Sequence, residues 1–403
     1  MSRDERNIVI VDAARSAFGE IGGGLKTVFG TKIAADVVKG LVEKTKIQEK
    51  GFVDSLICGC AVGDSTSNAA ARYISQLAGL PFETSATFVE MQCGSAITSI
   101  NHAAWKIKMG MSDICIAGGF ESYSTIASKF ETSHTPYKAL PPMPIPGHLT
   151  PNTERDSSMI QNDDKMAAIW NISKEEADEY SYRSQQNLKK AYADGITGEE
   201  IIPIIIPATR KIPEQVITKD EHPRPDVTLE KIKSMKPIFE GGITTAANSS
   251  GRNDGAAFVL LMTEEKAKEL GYEPYARWLG CGFAGYQEDL MGIAVAYSNV
   301  KALKHLGLNL DDIDIWECNE AFAAQNLAAI KEMEKLTGKK INMDKWNIYG
   351  GAIAIGHPNG ASGARIAWWC MKELEKSGGK YGIFSSCCGG GQGSTAVIEN
   401  LRR

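Results

Sequence analysis

Short apolar runs alternate with longer amphipathic stretches along the first part of the chain. The apolar runs have the length of buried strands, and the amphipathic stretches repeat their apolar residues at helical spacing. Strands are predicted at residues 8–11, 55–60, 86–91 and 114–117, and helices at residues 31–43 and 95–108. This alternation predicts an α/β layered fold with parallel strands.

The pattern changes between residues 121 and 243, where proline and polar residues dominate. One helix is predicted inside this stretch, because Ser173 and Glu176 form a capping-box pattern and an apolar stripe continues until Gly195. Long irregular segments of this kind usually carry binding loops. We therefore expect residues 121–243 to form a loop-rich insertion that acts as a binding lid.

The strand and helix pattern resumes after the insertion. Strands are predicted at residues 256–262, 313–318 and 383–386, and helices at residues 263–270 and 321–336. The two halves also resemble each other, because a helix opens after Gly94 and again at Gly360, and an apolar strand with glycines follows each helix at similar spacing. This repetition indicates duplicated α/β units.

The composition is that of an ordinary globular protein with room for two or three domains. The 403 residues are 43% hydrophobic and 23% charged, with a formal net charge of −5. An acidic chain has no overall basic field to attract nucleic acid. No apolar stretch approaches the roughly 18 residues of a membrane span, and the first residues do not form a signal or transit peptide. We expect a cytoplasmic protein that binds neither nucleic acid nor membrane.

Nine cysteines in a chain without a secretory signal favour free thiols over a disulfide framework. Cys93 is the first candidate for a reactive thiol, because it lies between a predicted strand and a predicted helix. A sulfur at a helix N-terminus faces free N–H groups that favour the thiolate. The alternative is a buried structural cysteine.

The second candidate is His357, which lies within the small-residue segment 350–363. Glycines on both sides of a histidine allow backbone or a ligand to approach it closely. His357 could accept a proton from a thiol or donate to a developing oxyanion. The alternative is a histidine that is buried in the core with its hydrogen bonds satisfied, although such a residue does not require so many glycines.

Two further patterns follow predicted strands. Cys387 and Cys388 precede a run of three glycines that begins at Gly389, and the N–H groups of such a run can form an oxyanion nest. A vicinal disulfide and a phosphate-binding loop are the alternatives, but the Lys and Ser/Thr of a P-loop are absent. Asn319 could hold a water or a substrate carbonyl, and it could also cap the helix that follows.

No metal site is predicted. Cys58 and Cys60 are one residue too close for a zinc knuckle, and no Cys or His pair lies at zinc spacing. The cysteines outside the candidate site lie mostly in apolar segments and are expected to pack in the hydrophobic core without a catalytic role.

Four motifs in this order resemble the thiolase family. They are Cys-Gly-Ser at Cys93, Asn-Glu-Ala-Phe at Asn319, Gly-His-Pro-Asn-Gly-Ala-Ser-Gly around His357 and Cys-Cys-Gly-Gly-Gly at Cys387. The resemblance covers nearly the whole chain. It implies the thiolase fold, in which two similar α/β domains form a five-layer α-β-α-β-α arrangement with an inserted loop domain.

The resemblance also implies domain boundaries. The N-terminal domain would comprise residues 1–120 and 244–270, the inserted domain residues 121–243, and the C-terminal domain residues 271–403. The inserted domain would act as the lid and bind coenzyme A (CoA).

Individual roles are implied in the same way. Cys93 would be the nucleophile that becomes acylated. His357 would activate it and, with a water held by Asn319, would stabilise a thioester enolate. Cys387 would exchange the proton at the α-carbon of the acetyl unit. The N–H groups of Cys93 and Gly389 would form a second oxyanion hole.

CoA is implied as a co-substrate, with no permanently bound cofactor and no metal. Ser250 and Met159 align with residues that touch the pantetheine arm, Arg224 with a residue near the CoA nucleotide, and Phe322 with a residue of the acyl pocket. The implied reaction is reversible thiolysis of a 3-ketoacyl-CoA to acetyl-CoA and an acyl-CoA, or the reverse Claisen condensation. A homodimer or homotetramer is expected.

Several positions depart from the family pattern. Tyr123 replaces a common Met, Ser158 stands where short-chain biosynthetic members carry His, and Ile160 breaks the usual sequence after it. Arg252 stands where an aliphatic residue is usual. The catalytic motifs are intact, so the sequence predicts the type of reaction but not the length or branching of the acyl chain.

Two other classes compete with this interpretation. A ketoacyl synthase that uses an acyl carrier protein has one cysteine with a His/His or His/Asn pair, and Cys387 argues against that class. A non-catalytic, redox-sensing thiol protein on the same fold is the other alternative.

Overall fold

The computed structural model describes residues 6–131, 135, 137–138, 141, 143–210 and 212–403. Its strands are β1 Ile8–Arg15, β2 Gly19–Glu20, β3 Ser55–Gly59, β4 Ser85–Val89, β5 Ile114–Glu121, β6 Ile204–Ile206, β7 Gln215–Ile217, β8 Asn253–Thr263, β9 Ala276–Gly285, β10 Ile315–Cys318, β11 Tyr381–Cys388 and β12 Gln392–Asn400. Its helices are α1 Gly30–Thr45, α2 Ile47–Lys50, α3 Ala70–Leu77, α4 Ser95–Lys108, α5 Met159–Ile169, α6 Lys174–Ala193, α7 Leu229–Lys233, α8 Glu264–Glu269, α9 Ala294–Leu306, α10 Ala323–Thr337, α11 Ala352–Ile355 and α12 Asn359–Ser377. Short 3-10 turns lie at Gln92–Gly94, Leu310–Asp312 and Met343–Lys345.

The main sheet has 10 strands in the order β10-β11-β12-β9-β1-β8-β5-β3-β4, with β2 paired to β8. Strand β3 pairs in parallel with β4 and β5, and β10 pairs in parallel with β11. Strands β1, β8, β9 and β12 pair only antiparallel. The expectation of parallel strands in the first part of the chain is therefore wrong for β1, which pairs antiparallel with β8 and β9. Strand β12 is antiparallel to β11 because a tight hairpin joins the two.

The sheet consists of two similar halves. In the first half-sheet (β4-β3-β5-β8-β1), α4 leads into β5, which lies between a parallel and an antiparallel neighbour. In the second half-sheet (β10-β11-β12-β9), α12 leads into β11, which has the same two kinds of neighbour. The duplication predicted from the sequence is confirmed. Antiparallel pairing of β1 with β9 joins the halves into one sheet.

Helices α4 and α12 lie between the half-sheets. Both contact strands of each half, and alternate residues of β8 belong to different cores. Ala257, Val259 and Leu261 pack towards α4 and α12, whereas Phe258 and Leu260 pack towards α1 and α3. Helix α9, with α10 packed on it, covers the outer face of the second half-sheet. The result is the expected order of five layers.

The segment between β5 and β8 is more regular than the sequence predicted. It contains α5, α6, α7 and the β6–β7 hairpin, and both α5 and α6 pack on α10. The predicted capping box is present, because the Ser173 and Glu176 side chains each accept a hydrogen bond from the other residue's backbone N–H. Within the described ranges, no helix is long and apolar enough to cross a membrane.

Glycines allow α12 to dock directly on strand backbone and on α4. A Cβ on Gly360, in the first turn of α12, would collide with the carbonyl oxygen of Phe120 in β5. A Cβ on Gly363 would lie 2.7 Å from the backbone nitrogen of Ile97 in α4. The start of α12 is therefore held against the end of β5 and the start of α4.

We predict that Gly360→Ala lowers the free energy of unfolding by about 1–3 kcal/mol, because an added methyl group overpacks a backbone contact. Gly147→Ala is the matched control, since a Cβ at Gly147 meets nothing within 4 Å. Denaturant unfolding of both variants measures the difference. Equal stability of the two variants would contradict the close approach of α12 to β5.

Candidate active site

Cys93 lies in the 3-10 turn between β4 and α4. The turn is fixed by Ser95, whose hydroxyl donates to the Gln92 carbonyl at 2.6 Å and accepts from the Met91 N–H at 3.0 Å. The backbone N–H of Gln92, a residue with φ 46°, donates to Glu90 Oε1 at 2.8 Å. Cys93 thus has the predicted strand–turn–helix setting, with its side chain half-buried.

The Cys93 thiol does not have the low pKa expected at a helix N-terminus. Burial and the Glu121 carboxylate raise its pKa to about 12. The backbone N–H groups of Cys93 and Gly389 favour the thiolate, as expected, but burial outweighs them. The N–H groups at the helix start thus act in the predicted direction, but the net result is a protonated Cys93 sulfur.

His357 lies between α11 and α12 and is held on three sides. Its backbone N–H donates to Asn253 Oδ1 at 2.8 Å, its Nδ1 lies 2.7 Å from Ser362 Oγ, and its Nε2 lies 3.3 Å from Asn319 Nδ2. An amide nitrogen can only donate, so Nε2 accepts and Nδ1 carries the proton towards Ser362. Burial and the nearby Arg365 charge lower the His357 pKa to about 3, so the imidazole is neutral.

Asn319 directly follows β10, and its backbone N–H donates to the Ser385 carbonyl of β11 at 2.8 Å. It does not cap the next helix, because α10 begins at Ala323 with Phe322 at the N-cap position. Its Oδ1 is buried and has no hydrogen-bond partner among the residues that the structure describes. Buried polar atoms are rarely left unpaired, so this oxygen marks a place for a water or a ligand donor.

Cys387 lies near the end of β11 and is fully buried. Burial and then the charge of Cys93 raise the pKa of its thiol well above the ordinary value. The turn that holds Cys93 packs against β11, so the two cysteines lie in one region of the structure although they are far apart in sequence. Cys387 is therefore a neutral thiol, able to donate a proton to a strong base beside it.

The glycines after Cys388 form the hairpin between β11 and β12, where Gly390 and Gly391 have φ 79° and 76°. The Cys388 sulfur packs on the turn that holds Cys93, because a Cβ on Gly94 would lie 2.5 Å from it. All nine cysteines are free thiols, so the vicinal disulfide is not formed. The phosphate-loop alternative also fails, since these glycines join two strands of a hairpin and precede no helix.

Of the four expected CoA contacts, Met159 and Phe322 share a hydrophobic cluster with Cys387, and Ser250 bonds beside Phe322. The Ser250 N–H donates to the Ala321 carbonyl at 2.9 Å, next to Phe322. Met159 begins α5 and packs against the cluster that contains Phe322 and Cys387. Arg224 lines a cavity of about 190 Å³ together with His222 and Ala247, and its guanidinium donates to Glu20 Oε1 at 2.6 Å.

The sequence did not single out two residues that contact the site. Asn359 Nδ2 lies 3.4 Å from Cys93 Sγ, and the only sequence signal for it is its place between Pro358 and Gly360 of the histidine motif. Glu121 accepts from Cys60 Sγ and from the Gly360 N–H, both at 3.0 Å, and so ties β5 to α12. Among the described residues, no group of three or more His, Cys, Asp or Glu side chains could hold a metal ion.

Family comparison agrees with this geometry. The model "Thiolase, N-terminal domain" matches residues 8–265, and the model "Thiolase, C-terminal domain" matches residues 272–400. Together they cover nearly the whole chain. The chain belongs to the thiolase family of acyltransferase enzymes.

Individual relatives are similar over their full length. The 3-oxoadipyl-CoA/3-oxo-5,6-dehydrosuberyl-CoA thiolase of Escherichia coli is 35% identical, with 98% of this chain and 100% of the relative covered. A crystal structure of the Bacillus anthracis acetyl-CoA acetyltransferase superposes with a TM-score of 0.90 at 35% identity, covering 98% of this chain and 99% of that one. Human mitochondrial 3-ketoacyl-CoA thiolase in complex with CoA superposes with a TM-score of 0.87 at 33% identity, covering 98% of both chains.

The raised pKa of Cys93 predicts slow alkylation of the free enzyme with a steep pH dependence. Only the thiolate reacts, and with its pKa at about 12 the rate with iodoacetamide should rise about tenfold per pH unit between pH ~7 and ~10. Mass spectrometry of the Cys93 peptide measures the rate, and Cys93→Ser gives the background. A plateau near the ordinary thiol pKa of about 8.5 would contradict the prediction.

Proposed function

We propose that this chain catalyses the reversible thiolysis of a 3-ketoacyl-CoA, or the reverse condensation of acetyl-CoA, through an acyl-Cys93 intermediate. The observation that supports the proposal is the convergence of the turn that holds Cys93, the strand that holds Cys387 and the Asn319–His357 pair. A single thiol would suffice for acyl transfer alone. A second acid–base group is needed when a carbon acid must also be protonated, and the Cys387 thiol can serve as that group.

In thiolysis, the Cys93 sulfur attacks the 3-keto carbon while His357 accepts the thiol proton. The bond between C2 and C3 breaks, which leaves the acyl group on Cys93 and releases acetyl-CoA as an enolate. Cys387 donates its proton to the enolate carbon. Free CoA then passes its proton to the Cys387 thiolate and attacks the acyl thioester, and Cys93 regains its proton from His357 as it leaves.

Two groups of donors would stabilise the negative oxygens of these steps. The N–H groups of Cys93 and Gly389 already favour negative charge at the Cys93 sulfur, so they are suited to an oxygen on the acyl carbonyl. The enolate oxygen would be held by His357 and by a water on Asn319, whose Oδ1 is unpaired.

CoA would enter as a co-substrate, with no permanently bound cofactor. Ser250 and Met159 would contact the pantetheine arm and Phe322 the acyl group. The hydrophobic cluster that Met159 and Phe322 share with Cys387 supports these contacts. Arg224 would contact the nucleotide from the cavity that it lines. The CoA complex of the human relative supports the class of ligand.

We also propose a homodimer or homotetramer. Strand β4 is an edge of the sheet, and its Phe88 side chain is 39% exposed. An unprotected edge strand is commonly covered by a second chain. The domain boundaries at residues 120, 243 and 270, and the cytoplasmic location, stay predictions from the sequence.

Removing each of the two thiols should impair a different step of the reaction. Cys93→Ala should lower acyl-enzyme formation from acetyl-CoA by at least about a thousandfold, because the nucleophile is lost. Cys387→Ala should keep acylation but slow exchange of the acetyl α-protons by at least about a hundredfold, because the proton donor is lost. Mass spectrometry follows acylation, and deuterium uptake from heavy water follows exchange.

Cys281→Ala is the matched control, since Cys281 is a half-buried thiol of β9 that has no assigned role in the site. It should retain both activities. Equal loss of both activities in the Cys387 variant would overturn the separation of roles. Failure of the unaltered protein to acylate would favour a redox-sensing thiol protein.

A further inference from the structure

Arg252 carries a positive charge that the protein itself does not neutralise. Its side chain is exposed, and no ion pair or hydrogen bond engages its guanidinium within the described part of the chain. The guanidinium carbon lies 5.4 Å from the ring centre of Tyr123. This contact holds the charge over an aromatic face and leaves its N–H groups open to a ligand.

The Arg252–Tyr123 pair borders the reacting centre. The backbone of Arg252 pairs with that of His357, and the next residue, Asn253, accepts the His357 N–H at 2.8 Å. On the other side of the pair, Tyr123 lies two residues after Glu121, whose carboxylate accepts the Gly360 N–H at 3.0 Å in the first turn of α12. The Asn359 side chain of the same turn lies 3.4 Å from the Cys93 sulfur. The pair therefore flanks the histidine motif that borders this sulfur, to which the acyl group would be attached.

The chemistry of the pair suits a carboxylate. A guanidinium offers parallel N–H donors that match the two oxygens of a carboxylate. Burial, with Glu121 and Cys93 nearby, raises the pKa of Tyr123, so its hydroxyl stays protonated and can donate as well. CoA also carries anionic phosphates, but they lie at the far end of the pantetheine arm from the thioester, and Cys93 reacts at the thioester end.

We propose that Arg252 and Tyr123 form a subsite for a carboxylate at the end of the acyl chain. The preferred substrates would be 3-ketoacyl-CoA thioesters of dicarboxylic acids. The proposal rests on the proposed thiolase function and names its substrate class.

The test compares 3-oxoadipyl-CoA, which ends in a carboxylate, with 3-oxohexanoyl-CoA, which has the same length and ends in a methyl group. The ratio of kcat/KM for the two substrates should favour the carboxylate in the unaltered enzyme. Arg252→Leu should lower that ratio by about 10- to 100-fold, the effect expected for a lost hydrogen bond to a charged group. Because the ratio is taken within one variant, a general loss of activity cancels.

Two variants sharpen the comparison. Tyr123→Phe keeps the ring and removes the donor, so it should lower the ratio less than Arg252→Leu. Arg210→Leu removes an exposed arginine between β6 and β7 and should leave the ratio unchanged. A ratio that favours the methyl-ended substrate, or that survives Arg252→Leu, would overturn the subsite. An equal loss on both substrates with a higher KM for CoA would overturn it in favour of a phosphate contact.

A binding measurement separates this proposal from the proposed function. In a Cys93→Ala background, calorimetry should show tighter binding of 3-oxoadipyl-CoA than of 3-oxohexanoyl-CoA, and Arg252→Leu should remove the difference. If this difference is found while the unaltered enzyme cleaves neither thioester, the carboxylate subsite is supported and the proposed thiolysis reaction is contradicted. If no difference is found although both thioesters are cleaved, the carboxylate subsite is contradicted and the proposed thiolysis reaction is supported.

Discussion

The crossing of α4 and α12 is the contact on which the site depends. The two helices touch through their first turns, where Gly363 leaves no side chain between α12 and the backbone of Ile97. Cys93 lies two residues before the start of α4, and His357 lies two residues before the start of α12. A crossing at the helix starts therefore brings a thiol from the first half and an imidazole from the second half to one place. The half-sheets on either side fix the crossing, because each packs against both helices.

Burial between the half-sheets also sets the protonation of the site. The same desolvation raises the pKa of Cys93 and of Cys387 and lowers that of His357, so the resting groups are all uncharged. A standing thiolate–imidazolium pair would be costly in such surroundings. Charge is expected to develop only when substrate oxygens lie against the N–H groups, the Asn319 amide and the imidazole that stabilise it. A resting enzyme of this kind is protected from side reactions of a free thiolate.

The sequence alone was sufficient to predict the elements whose periodicity or capping pattern lies within a short segment of the chain. Helix α4 and the capped helix α6 lie where periodicity and the Ser173–Glu176 pattern place them. Strands β9 and β12 were missed, because both contain glycines that are typical of turns and because β9 pairs only with strands far away in sequence. The motifs identified Cys93, His357, Asn319 and Cys387 as candidates, but their charge states could not be predicted. Those states depend on burial and on Glu121, which only the folded chain brings to the thiol.

The most direct test of this account is a crystal structure of the enzyme after reaction with acetyl-CoA. The account predicts an acetyl group on Cys93, with its carbonyl oxygen between the N–H groups of Cys93 and Gly389. The Cys387 sulfur should face the position that the second substrate's α-carbon would occupy. An acetyl group on another residue, or a Cys387 sulfur walled off from the acetyl group by other side chains, would contradict it.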